Sequence, residues 1–117
     1  MLVEDENQVR DLEAKMLMQL GYTVLSAADG HEAIALSRAH SGEISLLVTD
    51  VVMPNMSGKQ VADALLAMRP GLKVLYLSGY TEKTIGHHGV LDSSVDFLTK
   101  PFTREALARK VREILSR

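Results

Sequence analysis

An aspartate follows a strand-like segment in the middle of the chain. Residues 44–49 are rich in apolar and β-branched side chains, and Asp50 comes directly after them. A core strand seldom ends in an ionisable side chain, because a charge is costly to desolvate. In a parallel α/β sheet, ligands bind beyond the carboxyl ends of the strands. Asp50 is therefore the first candidate for a chemical role.

Polar side chains also follow other strand-like segments. Glu4 and Asp5 come after the first such segment. Ser78 follows the fourth and Lys100 follows the fifth. If all strands run parallel, three acids, one hydroxyl and one amine share one edge of the sheet. Three carboxylates about 5 Å apart would repel by ~3 kcal/mol per pair at an effective dielectric constant near 20. A cation is therefore expected among them.

The cation that suits such an edge is Mg²⁺. Lys100 can neutralise one charge, whereas a divalent ion can neutralise more. Hard oxygen ligands without His or Cys favour Mg²⁺ over a transition metal. An acidic pocket that holds Mg²⁺ beside a lysine suits a phosphoryl group. A carboxylate of the set could be the nucleophile that forms an aspartyl phosphate, and Ser78 could donate a hydrogen bond to a phosphoryl oxygen.

The elements that must position these residues alternate between strand and helix. Strands are predicted at residues 1–3, 22–26, 44–49, 73–77 and 95–99. Helical apolar spacing follows each strand, beginning near residues 9, 30, 58, 82 and 104, and the last three helices have the N-cap candidates Ser57, Thr81 and Thr103. Five strand–helix repeats predict a parallel sheet with helices on both faces. With right-handed crossovers, the expected fold is a flavodoxin-like (βα)5 three-layer α/β sandwich with strand order 2-1-3-4-5.

Composition and charge narrow the class of protein further. The chain has 117 residues, which suits one domain over residues 1–117. A net charge of -2 leaves no basic footprint for nucleic acid. The absence of Cys excludes a disulfide framework and a thiolate metal site. No segment has the length of a membrane span or the pattern of a signal peptide, so no membrane role and a cytoplasmic location are expected. The first apolar run is short for a central strand, which favours a piece of a longer protein over a stand-alone chain.

The chain resembles the receiver domains of bacterial two-component signalling nearly from end to end. The resemblance is carried by residues 3–6 with Val9 and Arg10, Gly21-Tyr22, residues 27–30 with Glu32-Ala33, residues 50–54 with Gly58, Ser78-Gly79 and residues 97–102. The segments 77–81 and 87–91 are most similar to those of receivers fused to hybrid histidine kinases.

This resemblance implies a role for each polar residue at the predicted edge. Asp50 would be the phosphoacceptor. Asp5 would bind Mg²⁺ directly and Glu4 through water, with the backbone carbonyl of Val52 as a further ligand. Ser78 would be the switch hydroxyl, and Lys100 would bind the phosphoryl group. The peptide bond between Lys100 and Pro101 is commonly cis in this family, which fits the low cis penalty of proline.

The resemblance also implies partners and a switch. A phosphohistidine on a histidine kinase or phosphotransfer domain would donate to Asp50. The surface made by the fourth predicted helix, the fifth strand and the last helix would then change its affinity for a partner, which could be a second copy of the chain. Phe97 occupies the place of the switch aromatic, which is often Tyr, and Glu4 stands where many members have Asp. The chain would catalyse only its own phosphorylation and dephosphorylation.

Other functions compete with this interpretation. A small haloacid-dehalogenase-like phosphatase also uses an Asp nucleophile and Mg²⁺, but that class needs a second Asp where Val52 stands. A flavodoxin-like nucleotide or flavin binder would need a Gly-rich loop after the first strand. A pure scaffold would not need the intact acid, hydroxyl and lysine set.

Simpler interpretations of single residues also exist. Asp50 could cap backbone amides, Ser78 could be a turn residue, and Lys100 could be an ordinary surface lysine. His87-His88 is better explained as a solvated pair than as a metal site, because adjacent histidines point to different faces.

Overall fold

The sheet has five parallel strands in the order β2-β1-β3-β4-β5. The computed structural model describes residues 1–79 and 95–117. The strands are β1 Leu2–Val3, β2 Ser26–Ala27, β3 Leu46–Asp50, β4 Lys73–Ser78 and β5 Asp96–Thr99. Within the described residues the helices are α1 Asn7–Gln19, α2 Gly30–Ala39, α3 Gly58–Met68 and α4 Arg104–Leu115. The predicted parallel sheet and its strand order are confirmed.

Two apolar layers hold the helices on opposite faces of the sheet. On one face α2 and α3 pack through Ala33, Val61 and Leu65, all of which are buried. On the other face α1 and α4 pack through residues that include Leu17 and Val111. The predicted three-layer sandwich is therefore present, with a core on each side of the sheet.

The central strand β3 is buried along its whole length. It lies between β1 and β4, and its register pairs Thr49 with Tyr76 and Asp50 with Leu77. A strand that is covered on both faces has a nearly continuous apolar sequence, as the segment before Asp50 does. β3 extends one residue further than the pattern predicts, so Asp50 is the last residue of the strand rather than the first of the loop.

Side-chain caps begin three of the helices. The Ser57 hydroxyl accepts from the Gln60 backbone N–H, and the Gln60 side chain returns a bond to the Ser57 N–H, which completes a capping box. Thr103 accepts from Ala106 N–H at the start of α4. Asp29 caps α2 through Glu32 N–H. The predicted caps at Ser57 and Thr103 are confirmed.

The second predicted strand is mostly wrong. Residues 22–25 are not in the sheet, and β2 is only Ser26–Ala27. The reason lies in the neighbouring strand: β1 has two residues, and these pair with Ser26 and Ala27 alone. The apolar run at 22–25 is explained by packing instead, since Tyr22 and Val24 contact the core on the α1 and α4 face.

Other predicted boundaries also differ from the structure. Strands β1, β3 and β5 begin at Leu2, Leu46 and Asp96 rather than at residues 1, 44 and 95. α1 begins at Asn7 rather than near residue 9, and its N-cap residue Glu6 makes no side-chain capping bond. β4 extends to Ser78, one residue beyond the predicted end. The helix predicted to begin at Glu82 with its cap Thr81, and the pair His87-His88, lie outside the described residues.

Candidate functional site

Asp50 is held in a tight connection between β3 and α3. Its side chain is buried, with a residue exposure of 8%. The loop returns so closely that a Cβ at Gly58 would overlap the carbonyl oxygen of Asp50. Gly58 also donates its backbone N–H to the Val51 carbonyl at 2.8 Å. Only a glycine fits this close approach, so the loop that follows Asp50 depends on Gly58.

Two further acids reach Asp50 from the end of β1. Glu4, Asp5 and Asp50 each offer a carboxylate oxygen, and these oxygens lie within 4.8 Å of one another. Glu4 is buried and its Oε2 accepts from the Glu6 backbone N–H at 3.0 Å, whereas Asp5 is exposed. The expected convergence of the three acids at one edge is confirmed.

Lys100 reaches the same acids from the end of β5. Its Nζ donates to Glu4 Oε1 at 2.6 Å and lies 2.7 Å from Asp50 Oδ1. The second contact is an ion pair whose angles do not make a hydrogen bond. The Lys100 backbone N–H donates to the Ser78 carbonyl at 2.8 Å, and the peptide bond to Pro101 is cis, as predicted. The backbone of β4 thus positions the amine above the acids.

Burial and crowding shift the acid pKa values in opposite directions. Burial, followed by the neighbouring Glu4 carboxyl, raises the pKa of Asp50 to about 8, although Lys100 opposes the shift. Burial alone would raise the pKa of Glu4, but its hydrogen bonds with Asp50, Lys100 and the Glu6 backbone hold it below the usual value. The two carboxyls thus bind one proton more readily than either would alone.

The same crowding shifts the pKa values of Lys100 and of the exposed acid Asp5. Burial lowers the pKa of Lys100, but its close contacts with the carboxylates of Asp50 and Glu4 more than reverse this, so the net shift is upward. Burial and the nearby Glu4 carboxylate raise the pKa of Asp5. Lys100 therefore stays charged at all physiological pH values, and its single positive charge faces more than one carboxylate.

The donor set fits a hard divalent cation. All three acids present oxygen, and within residues 1–79 and 95–117 no side chain makes an aligned hydrogen bond to Asp50 Oδ1. Clustered carboxylates that lack enough cationic partners are the ligands that Mg²⁺ prefers. Val52 lies two residues beyond Asp50 and is half-buried, and the ligand role of its carbonyl stays a prediction.

The predicted switch residues lie on the adjoining strands. Ser78 is buried at the end of β4, one position beyond the partner of Asp50. Phe97 is half-buried on β5, where its ring centroid lies 5.9 Å from that of Tyr76 at an interplanar angle of 35°. Both residues are on the side of the site away from β1. Their switch roles stay predictions.

One residue near the site is absent from the sequence-based prediction. Glu13 is on α1 and is 4% exposed, and its Oε2 lies 3.7 Å from Lys100 Nζ. Burial raises the pKa of Glu13 to about 7, with Lys100 opposing the shift. A signal was present: Glu13 falls four residues after Val9 and four before Leu17, on the apolar stripe that predicts the buried face of this helix.

Comparison with known proteins places this geometry in one family. Residues 1–112 match the family described as "Response regulator receiver domain". The chain is 38% identical over 117 residues to the sensor kinase CckA of Brucella abortus, covering 100% of this chain and 12% of that protein. It is 30% identical over 115 residues to the response regulator receiver protein CpdR of the same organism, covering 98% of this chain and 94% of that one.

Solved structures of receiver proteins have the same fold as this chain. The receiver domain of the hybrid histidine kinase CckA superposes with a TM-score of 0.81 at 35% identity, covering 97% of this chain and 95% of that one. The chemotaxis protein CheY4 of Vibrio cholerae gives a TM-score of 0.83 at 27% identity, over 97% of this chain and 94% of that one. Some matching proteins are much longer, since the chain spans about an eighth of CckA and about half of the Mycobacterium tuberculosis regulator TcrX.

In the described part of the chain, no helix combines the length and the apolar character that a membrane span requires.

Proposed function

The chain belongs to the response regulator receiver domain family, and from this premise we propose that Asp50 is the phosphoacceptor of a two-component phosphorelay. The single observation that supports this most is the position of Asp50: it ends the buried strand β3, 2.7 Å from Lys100 Nζ and among the carboxylates of Glu4 and Asp5. In this proposal the whole of residues 1–117 forms the receiver.

The reaction is a phosphoryl transfer from a phosphohistidine. A carboxylate oxygen of Asp50 attacks the phosphorus, so that a P–O bond forms as the P–N bond breaks. The imidazole nitrogen leaves with the electron pair. The signal ends by hydrolysis. Water attacks the phosphorus of the acyl phosphate, which releases inorganic phosphate and restores the Asp50 carboxylate. Lys100 offers a fixed positive charge to the phosphoryl oxygens in both steps.

The residues that would hold Mg²⁺ are Asp5, Asp50, the carbonyl of Val52 and, through water, Glu4. Bound Mg²⁺ would neutralise charge on the crowded acids and on the phosphoryl oxygens. The chain's own contribution is positional. Glu4 keeps the ammonium of Lys100 beside Asp50, while Gly58 lets the loop close over the Asp50 backbone.

The switch would follow from the added charge. A phosphoryl group on Asp50 would draw the Ser78 hydroxyl and the Lys100 amine toward its oxygens. That movement biases the loops after β3 and β4 between two states. Phe97, which already contacts Tyr76, would change its packing as the loop after β4 moves. The surface formed by β5 and α4, with the segment between β4 and β5, would then change its affinity for a partner.

The proposal extends to partners and location. Receiver domains are generally signalling domains that interact with histidine kinases or phosphotransfer proteins, and a kinase or phosphotransfer domain is the donor in this proposal. Pairing of two copies through β5 and α4, a cytoplasmic location and the absence of nucleic-acid contact belong to the same proposal.

The phosphatase alternative has no support. The family match and the structural neighbours are receivers. Val52 stands where a haloacid-dehalogenase-like enzyme requires its second aspartate. The only chemistry proposed for this chain is its own phosphorylation and dephosphorylation.

The proposal is tested by incubation with acetyl phosphate and Mg²⁺ and measurement of the intact mass. One phosphoryl adduct is expected, and it should be absent in Asp50→Asn. Asp63→Asn is the matched control, because Asp63 is an exposed acid on α3 that pairs only with Lys59 among the described residues. An adduct that survives Asp50→Asn, or no adduct on the wild type, would refute the proposal.

A further inference from the structure

Glu13 is a buried acid that the proposed chemistry does not use. It is 4% exposed on the face of α1 that also buries Ala14 and Leu17. No residue in the described ranges donates a hydrogen bond to its Oε1, which is itself buried. Burying a carboxylate oxygen without a partner costs free energy, and an apolar side chain would fill this position better. Packing therefore does not account for a glutamate here.

The side chain of Glu13 is directed at Lys100. Its Oε2 lies 3.7 Å from Nζ, beyond hydrogen-bond distance but within reach of a small movement. A lysine ammonium has three N–H donors. Two acids, Glu4 at 2.6 Å and Asp50 at 2.7 Å, already contact this ammonium. Glu13 is the third carboxylate around Nζ and comes from a different element, α1.

The three carboxylates differ in what else they are expected to do. Glu4 and Asp50 belong to the acid cluster that fits a divalent cation, and Asp50 is the proposed nucleophile. Glu13 is outside that cluster, and Lys100 is its one ion-pair partner in the described part of the chain. Once Asp50 carries a phosphoryl group, Glu13 is the one carboxylate of these three that neither belongs to the proposed cation site nor bears the phosphoryl group.

We propose that Glu13 is a positioning residue for Lys100, whose ammonium it holds on the α1 side of the pocket while Asp50 is phosphorylated. The inference rests on the proposed function of Asp50 and adds a residue to it. With Glu13 in place, one N–H of Lys100 is directed toward α1 and the others face the phosphoryl oxygens. Without it, the ammonium turns fully toward Glu4 and Asp50 and masks the oxygen that must attack.

The first test is nitrogen NMR of the lysine ammonium groups in the whole protein without a phosphodonor. In the wild type, Lys100 should give a slowly exchanging ammonium signal. Glu13→Gln should speed its proton exchange by about threefold or more, because one charged partner is lost. Asp11→Asn is the matched control, since it removes an exposed acid from the same helix and should leave the signal unchanged. Equal exchange in wild type and Glu13→Gln would overturn the contact.

The second test measures the rate of phosphorylation by acetyl phosphate at pH 8 with Mg²⁺ in excess. Glu13→Gln and Glu13→Leu should each react about three- to tenfold more slowly than wild type, and Asp11→Asn should match wild type. Both variants should melt at the wild-type temperature or above it, so slow reaction with unchanged or higher melting identifies positioning.

Other outcomes would overturn the inference. A faster or unchanged reaction in Glu13→Gln would make Glu13 a simple repelling charge or a bystander. A slower reaction with a clearly lower melting temperature would make its role structural. If the wild type forms no adduct, the proposed function of Asp50 fails, and the ammonium exchange of Glu13→Gln still decides whether Glu13 holds Lys100.

Discussion

Two charged clusters flank the strand β5, and they differ in how well their charges are balanced. At its carboxyl end, Lys100 is shared by Glu4, Asp50 and Glu13. At its amino end, one acid is shared by two cations: Arg117 binds Asp96 with both guanidinium nitrogens at 2.8 and 2.9 Å, and Lys110 lies 3.6 Å away.

This difference separates a functional cluster from a structural one. In the Asp96 cluster, Glu113 also faces both cations, so two acids meet two cations and the charges balance. This cluster ties α4 to β5 at little electrostatic cost. The Lys100 cluster is buried and holds more acids than cations, so it carries surplus negative charge once Asp50 and Glu13 are ionised. Stability alone would not favour this arrangement. A surplus of this kind is what a divalent cation and a phosphoryl group together can relieve.

The largest expected effect comes from removing the central amine. Lys100→Met should lower the free energy of unfolding by about 3 kcal/mol, because it leaves buried carboxylates without their cation. Lys110→Met is the matched control: the side chains of Lys100 and Lys110 are 26% and 25% exposed, yet Lys110 should cost less than about 0.5 kcal/mol. Chemical denaturation at pH 7 measures both. Equal losses would show that the two clusters do not differ in the way described.

The second effect is a dependence of stability on pH in the absence of metal. The folded-state pKa values of Asp50 and Glu13 are raised to about 8 and about 7 from ordinary values of 3.8 and 4.5. An acid with a raised pKa binds its proton more tightly in the folded state, so stability falls as pH rises through this window. Each such acid contributes about 1.4 kcal/mol per pH unit between its two pKa values, so the free energy of unfolding should fall by roughly 2 kcal/mol or more between pH 5 and pH 8.

Two variants sharpen the pH measurement. The slope should decrease in Asp50→Asn and in Glu13→Gln, because each variant removes one of the acids whose folded-state pKa is raised. A stability that rises from pH 5 to pH 8 would contradict the surplus of buried negative charge.

The third effect is stabilisation by Mg²⁺. A cation that binds the folded state alone adds about 1.4 kcal/mol at a concentration ten times its Kd. The melting temperature at pH 8 should therefore rise with Mg²⁺ and not with the same ionic strength of Na⁺. Asp5→Asn should abolish most of the rise, because Asp5 offers an exposed ligand oxygen to the acid cluster. Retention of the full rise would place the cation elsewhere.

The smallest effect belongs to the balanced cluster. Asp96→Asn should lower the melting temperature by no more than about 2 °C, since the Arg117 partner is 47% exposed and Glu113 stays beside both cations. The loss should shrink further at high salt, because such pairs are screened. A drop as large as that of Lys100→Met would show that the Asp96 cluster is as critical to the fold as the site.

The site was more predictable from sequence than its surroundings. Strand ends in a parallel sheet share one edge, so Asp50, Glu4 and Lys100 could be brought together from their positions alone. Glu13 could not be assigned to Lys100 in this way. Its stripe predicts burial, but which strand end the buried face of α1 approaches depends on how the helix packs.

The weakest part of the sequence-based fold prediction was the second strand. Residues 22–25 have strand composition, yet they are not in the sheet because β1 pairs over only two residues. The composition of a segment indicates whether its side chains will be buried, whereas its pairing in a sheet depends on the length of the partner strand. The close approach of Gly58 to the Asp50 carbonyl is a tertiary constraint of the same kind.

Asp50 is retained in a crowded acidic pocket at a cost to stability. The most direct test is the free energy of unfolding of metal-free Asp50→Asn relative to wild type at pH 8. Asn keeps the shape of the side chain and removes one of the crowded charges, so a gain of about 1–2 kcal/mol is predicted. A clear loss of stability in Asp50→Asn would contradict the account.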